Sequence, residues 1–292
     1  MSQGMLIGEI GASSSRWAWL APDGGTITLP PHGEGLPGFN PVNGDAALFA
    51  SGIRAGFTKW APDAALAPRV VVYGAGCGSE PRARVMEQAL AGVWPRATID
   101  VKSDLLGAAR GLCSVPPALV LILGTGMNAG HFDGERLLQP MPSLGYVLGD
   151  EGSGADIGRT LLQDAFYRRM PDPIAVQLFG PSGPALGTII EEVYRSPFPA
   201  RALAARTALL APLRQEPYVR DLVFGRFHAL MDLLKTFFTA EQRAQVCATG
   251  SVAWGFREEL AECMLEHGMD LIAVERDPLH GLVALHRNEG AA

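Results

Sequence analysis

Leu121-Ile122-Leu123-Gly124-Thr125-Gly126-Met127-Asn128 is the stretch on which the reading of this chain turns. It ends a strongly apolar run, Ala118 to Leu123, in three small residues, after which Ala129 to Phe132 leads into Asp133-Gly134. A short apolar run that stops at glycine reads as a buried strand, and two such runs around a small turn read as a hairpin. Small side chains also leave successive backbone N–H groups open, and these form a concavity that can hold phosphate oxygens. On its own a single turn of this kind is first of all a structural hairpin, because motifs this short match often by chance.

The same theme opens the chain. Met5 to Ala21 holds an apolar run, the small segment Gly11-Ala12-Ser13-Ser14-Ser15, and a second run, Trp17-Ala18-Trp19-Leu20. A turn at Asp23-Gly24-Gly25, a strand over Thr26–Leu29 and a Gly- and Pro-rich loop from Pro30 to Gly44 follow, the loop being long enough to be functional. Helical composition then covers Asp45–Thr58, and Arg69–Tyr73 is a buried strand before Gly74-Ala75-Gly76. A helix over Pro81–Val93, a strand over Thr98–Val101 and a helix over Leu105–Cys113, capped by Ser103 or Asp104, complete the first half. Ser114-Val115-Pro116-Pro117 breaks the pattern, so the expected domains are 1–115 and 116–292.

In the second half the chain turns helical after Asp150 to about Arg169, is irregular over Pro171–Pro184, and is mostly helical over Ala185–Thr239. Val246 to Thr249 is a strand running into Gly250-Ser251, Phe256–His267 a helix, and Leu271–Val274 a last strand. Strands alternating with helices give an α/β architecture.

Composition narrows the function. The 292 residues suit two ordinary domains, and 24 Lys and Arg against 30 Asp and Glu leave a formal charge of -6. No diffuse basic field exists to draw nucleic acid or anionic lipid, so small molecules are the expected partners. Cys77, Cys113, Cys247 and Cys263 are scattered, with no C-x-x-C spacing and no clustered His to complete a zinc site, and they read as buried reduced thiols. Met1 to Ile10 lacks a basic region before a long apolar core, and no window reaches the roughly 20 apolar residues of a membrane span. A cytoplasmic enzyme is the expectation.

Order gives the turns their meaning. The Leu121–Asn128 block is followed by Gly145 and by Leu148-Gly149-Asp150-Glu151-Gly152-Ser153-Gly154. Gly38-Phe39-Asn40-Pro41 and Ser103-Asp104-Leu105-Leu106-Gly107-Ala108-Ala109-Arg110 precede it, and Gly250-Ser251-Val252-Ala253 and Asp277-Pro278-Leu279-His280-Gly281-Leu282 follow. In these landmarks, spread over nearly the whole length, the chain resembles the N-acetylglucosamine kinases and the related BadF/BadG/BcrA/BcrD ATPases. The resemblance implies two ribonuclease-H-like domains in the ATPase fold of actin, Hsp70 and sugar kinases, with the nucleotide gripped in an interdomain cleft. It implies phosphorylation of an amino sugar with ATP and Mg2+, and leaves a homodimer open.

Carried onto this sequence, the resemblance makes Asp104 the catalytic base and a sugar contact, beside the sugar-binding Asn40, Asn128, Gly145 and Asp150. It assigns nucleotide binding to Gly11, Ser13, Ser15, Gly124, Thr125, Gly126, Gly250 and Ser251, and a magnesium-bound water to Glu9. Each residue has a plainer reading: Asp104 as helix cap, Asp150 and Glu151 as first-turn acids, and Asn40 and Asn128 as partners of loop backbone. His131 and the five tryptophans are assigned no chemistry. The chain departs from the family in the first phosphate loop, where Ile10 replaces a glycine and Ser14 a lysine. Arg16 could supply the lost cation if it turns inward. The departure keeps two alternatives open, a sugar-binding regulatory protein without catalysis and a BadF-type ATPase with another substrate. An activator of a radical dehydratase would need cluster-binding cysteines that the scattered four do not provide.

Overall fold

The computed structural model describes residues 4–32, 35–42 and 44–289. Met1 to Gln3, and Gly33, Glu34 and Asn43 of the expected Pro30–Gly44 loop, lie outside the described residues. The first apolar run forms β1 (Met5–Ile10), buried at every position but Glu9. It pairs antiparallel with β2 (Ser14–Leu20), which pairs in turn with β3 (Thr26–Leu29) and the short β4 (Leu36–Pro37). After α1 (Ala46–Trp60), β5 (Arg69–Gly74) joins β1 in parallel. After α2 (Glu80–Ala91), β6 (Thr98–Ser103) joins β5 in parallel and runs into α3 (Asp104–Leu112). The resulting order is β3-β2-β1-β5-β6, with β4 on β2. Asp45 starts α1 by accepting the Ala47 and Leu48 amides at 2.9 Å, meeting two of the orphan donors of a helix start. One face of the sheet buries Leu6, Ile10, Trp17 and Val72 against Phe49, Ile53, Phe57, Met86 and Trp94.

The second unit repeats this plan. β7 (Ala118–Leu123), β8 (Met127–Phe132) and β9 (Leu137–Leu138) form an antiparallel meander. Helices α4 (Gly145–Leu148), α5 (Gly154–Phe166), α6 (Asp172–Phe179), α7 (Leu186–Tyr194), α8 (Pro199–Thr207) and α9 (Pro217–Phe237) follow. β10 (Gln245–Thr249) lies parallel to β7, and α10 (Ser251–Gly255) and α11 (Arg257–Glu266) lead to β11 (Asp270–Glu275), parallel to β10. The order is β11-β10-β7-β8-β9, a meander extended by two parallel strands as in the first unit. Leu121, Leu123, Phe227, Leu230, Leu234, Leu260 and Met264 are fully buried in its core.

Two expectations are corrected. The Pro171–Pro184 stretch is not wholly irregular, since α6 forms within it: Pro171 caps the helix and Pro173 stands in its first turn, where a missing N–H has no helical partner to lose. The second domain also does not run to the end of the chain. The compact units are residues up to Ser114 together with those from Asp277 on, and Val115–Arg276. A last helix, α12 (Leu279–Glu289), returns to the first sheet, where Leu279 and Leu282 bury against Met5, Ile7, Ala18, Val71 and Tyr73. Gly281 lies against the Gly111 carbonyl of α3 with no room for a side chain, and the Tyr73 hydroxyl meets His286 Nε2 at 3.0 Å.

Candidate active site

In the first unit the chemistry gathers at the carboxyl ends of the parallel strands, the usual place for ligands in α/β sheets. Glu9 stands one residue before the end of β1 and is the cross-strand partner of Arg16. Asp104 follows β6 directly, and Asp277 precedes α12, accepting the Leu279 amide at 3.2 Å. Arg16 does turn toward these acids: its Nε lies 3.5 Å from Asp277 Oδ2. Its cation is thus engaged at the strand ends.

Asp104 is not the helix cap. Ser103 holds that position, its Oγ accepting the Leu106 amide at 3.2 Å, while Asp104 is the first helical residue and accepts the Leu105 amide at 2.8 Å. Burial pushes the Asp104 carboxyl up to about 6 against the lowering effect of backbone hydrogen bonds. Glu9 rises further, to about 8, through burial first and then the charges of Asp277 and Asp104, only partly offset by Arg16. Glu9, Asp104 and Asp277 gather at this end of the sheet with one guanidinium, a bound cation would hold Glu9 in its carboxylate form near neutral pH, and the donors are hard oxygens. That chemistry fits magnesium, and Glu9 and Asp277 are the residues that would hold it.

The Gly11–Ser15 turn and the Gly38–Pro41 loop meet. The Gly11 amide donates to the Ser14 carbonyl at 2.9 Å, and the Phe39 amide donates to the Gly11 carbonyl at 3.0 Å. Phe39 anchors the Gly38–Pro41 loop by stacking on Phe49, with ring centroids 5.1 Å apart. Asn40 Oδ1 accepts the Val42 amide at 3.0 Å, so part of its capacity serves its own turn. Ser15 is a correction. Its hydroxyl is buried, donates to the Pro37 carbonyl at 2.8 Å and accepts from Trp17 Nε1 at 2.9 Å, which makes it a strut between strands and not a phosphate ligand. Ser14, where the family has lysine, is exposed at the start of β2.

In the second unit three of the glycine turns form one surface. The Gly124 amide closes its turn on the Gly126 carbonyl at 3.0 Å, and the Gly154 and Ala155 amides donate to the Gly124 and Thr125 carbonyls at 2.8 and 3.1 Å. Gly250, at φ 112°, lies directly against the Leu123 carbonyl, and its amide donates to the Glu275 carbonyl at 3.2 Å. Ser251 then begins α10.

Asp150 lies beside this surface and outside any helix; the first-turn acid of α5 is Asp156. Asp150 has φ 63°, a left-handed conformation that non-glycine residues seldom adopt and that gathers at functional sites. Its carboxylate fills the space beside Gly126 and receives the Met127 amide. Burial pushes it up to about 6, Glu151 and Asp156 add to the rise, and the Met127 amide and Arg159 oppose it. The turn that carries Asp150 is braced from below. Buried Asp156 accepts the Gly152 amide at 3.0 Å and pairs with Arg159 at 2.7 Å and Arg226 at 3.8 Å, while Ser153 caps α5.

Asn128 Oδ1 accepts from the Ala129 amide at 3.0 Å and from Gln139 Nε2 at 2.6 Å. Gly145, at φ 75°, opens α4. A groove of about 80 Å³ adjoins Asp150 and Glu151, walled by Met127, Met141, Leu233 and Phe237. Sequence reasoning missed Gln139, the Asp156 brace and the place of Asp277. Only the last had a local signal, an acid two residues before a helical run.

No protein-family profile matches the chain, and no curated protein matches it. Solved structures do. One from Porphyromonas gingivalis, provisionally named an N-acetylglucosamine kinase, is 32% identical, with a TM-score of 0.84 over 97% of this chain and 99% of its own. A similarly named structure from Chromobacterium violaceum is 18% identical, with a TM-score of 0.69 over 97% and 99%. A ROK family glucokinase from Streptomyces griseus, in complex with glucose and AMPPNP, is 15% identical, with a TM-score of 0.56 over 98% and 99%. The last two share the fold; the first shares a third of the sequence as well.

Proposed function

The chain belongs to the N-acetylglucosamine kinase family, and from that premise we propose that it phosphorylates a hydroxyl of N-acetylglucosamine or a closely related amino sugar, with ATP as donor. The observation that carries the reading is Asp104: a half-buried carboxyl at a strand end, free of the capping duty that Ser103 performs and raised to about 6, close to where a general base works at neutral pH. Asp104 takes the proton of the attacking hydroxyl as that oxygen bonds the γ-phosphorus and the bond to the β-phosphate oxygen breaks, releasing ADP.

Asn128 and Asp150 bind sugar hydroxyls, and the apolar walls beside Asp150 suit the methyl of an acetamido group. The Gly124-Thr125-Gly126 turn with Gly250-Ser251 receives the nucleotide, and Gly11 and Ser13 offer a second phosphate-facing turn. Magnesium, when bound near Glu9, would neutralise charge on the transferring phosphoryl group. The test is ADP release from Mg-ATP with a panel of hexosamines, for wild type and Asp104→Asn. No sugar-dependent release from folded wild-type protein sinks the proposal.

A second reading, a sugar-binding regulator, is favoured by one observation: the first loop offers exposed Ser14 in place of lysine and a Ser15 hydroxyl already engaged. Calorimetry separates the two. Sugar binding without Mg-ATP binding supports the regulator, and binding of both supports the kinase.

A further inference from the structure

Outside the glycine turns, α9 and α11 bring together side chains that the sequence keeps apart. His228 Nδ1 lies 2.8 Å from His267 Nε2 and 3.5 Å from Cys263 Sγ, and all three atoms fall within 4.8 Å of one another. The sequence expectation that no histidine clusters with a cysteine does not hold: 35 residues separate Cys263 from His228, and one helical turn separates Cys263 from His267.

A tetrahedral ion with metal–nitrogen bonds of about 2.0–2.1 Å and a metal–sulfur bond of about 2.3 Å holds N and S roughly 3.5 Å apart and two N roughly 3.3 Å apart. The His228–Cys263 distance already matches, the two ring nitrogens need to part by about 0.5 Å, and the His267–Cys263 pair starts within 4.8 Å. The other nitrogen of His228, Nε2, faces Glu266 Oε2 at 3.7 Å. A carboxylate behind the ring is the usual support of a ligating histidine, since it keeps the proton on the outer nitrogen and the lone pair inward. Burial first, and then the charges of Glu266, Asp232 and Glu262, hold the Cys263 thiol protonated, with Lys235 opposing; Arg243 also reaches the His267 carbonyl at 3.2 Å, and Arg220 pairs with Glu262. The His228 side chain is 41% exposed, which leaves a route in from solvent.

We propose that His228, Cys263 and His267 form a binding site for a borderline-soft divalent transition-metal ion such as zinc, with a fourth position open to water. Two imidazoles and a thiolate select such an ion over magnesium or calcium, which prefer oxygen. Uptake balances as follows. The thiol proton of Cys263 leaves to solvent as sulfur bonds the metal, and the proton shared between His228 Nδ1 and His267 Nε2 is replaced there by the ion. That proton moves to the outer nitrogen of its ring, either His228 Nε2 facing Glu266 or His267 Nδ1, which is buried and lacks a hydrogen-bond partner among the described residues. The ion would tie α11 to α9, the helix whose Arg226, Leu230, Leu233 and Phe237 back the turn and groove around Asp150.

The test uses the full chain, stripped with chelator and titrated with cobalt(II). Expected are a thiolate-to-cobalt absorption in the near ultraviolet and strong visible bands that saturate at one ion per chain, are bleached by zinc and survive excess magnesium. Cys263→Ser should abolish the thiolate band, and Glu266→Gln should weaken zinc binding about 10-fold while keeping the band. Circular dichroism checks folding; if Cys263→Ser does not fold, His228→Gln replaces it and should weaken zinc binding by more than about 100-fold. Absence of a saturable thiolate band in wild type overturns the proposal, as does a band unchanged in folded Cys263→Ser.

Discussion

The two units lay down their strands in the same order, yet they build their turns from different materials. In the second unit the Gly124–Gly126 turn is held by backbone: the amides of Gly154 and Ala155 grip its carbonyls, and Gly250 closes against it. In the first, backbone bonds from Gly11 to Ser14 and from Phe39 to Gly11 close the turn as well, but side chains add to them: Glu9 and Asp277 beside the Arg16 guanidinium, Asp104 at the end of β6, and the Ser15 hydroxyl bracing two strands. A turn held by backbone needs only small residues to persist. A turn that depends on side chains changes with each substitution, and there Ser14 stands in place of lysine. On the proposed function, charge and proton transfer fall to the first unit, and shape and grip to the second.

The sharpest test of that division pairs Asp104→Asn with Asp150→Asn. The first should lower kcat/KM by about 10²–10⁴ with little change in sugar affinity by calorimetry, and the second should act mainly on sugar affinity. Asp104 must be unprotonated to act as base, so it should contribute to wild-type kcat/KM an acid limb that rises with pH through about 6. Asp104→Asn should remove that component and leave only the shallower limb set by Asp150, which burial also raises to about 6. Equal behaviour of the two variants would break the division.

Next in size, Leu282→Ala removes a fully buried side chain from beneath α12 and should cost about 2–5 kcal/mol in urea unfolding. Tryptophan fluorescence should report the loss, because Trp17, Trp19 and Trp94 lie in the first unit. Ser15→Ala should cost about 1–3 kcal/mol, since it leaves the Pro37 carbonyl and the Trp17 indole N–H without that partner. The KM for ATP should stay unchanged; a clear rise would return Ser15 to the phosphate site. The smallest effect is expected from Ser14→Lys. An exposed added charge is worth under about 1 kcal/mol, so the KM for ATP should fall at most about fivefold.

Much of this was legible in the chain because it is local. Apolar runs ending in small residues marked β1, β2, β7 and β8, and the acid after Ser103 marked the head of α3. The order of the motifs told more than any one of them. What stayed hidden depends on partners distant in sequence. Arg16 meets Asp277, Ser15 meets Pro37, and His228 meets Cys263 only once the sheets and helices are assembled. α6 was missed because its prolines read as breakers, although they occupy the cap and first turn, where proline fits. α12 was not read as a helix at all, and its membership would have stayed hidden in any case, because an apolar helical face does not say which sheet it will cover.

The return of α12 to the first sheet has a consequence for biogenesis. The chain leaves the first unit at Ser114 and rejoins it at Asp277, so the second unit is synthesised whole while the first still lacks a helix. At ~5–20 residues per second, the sheet face bearing Met5, Ile7, Val71 and Tyr73 is without α12 for roughly ten to thirty seconds. During translation that face, covered only in part by α3, is an apolar surface on which a chaperone could act.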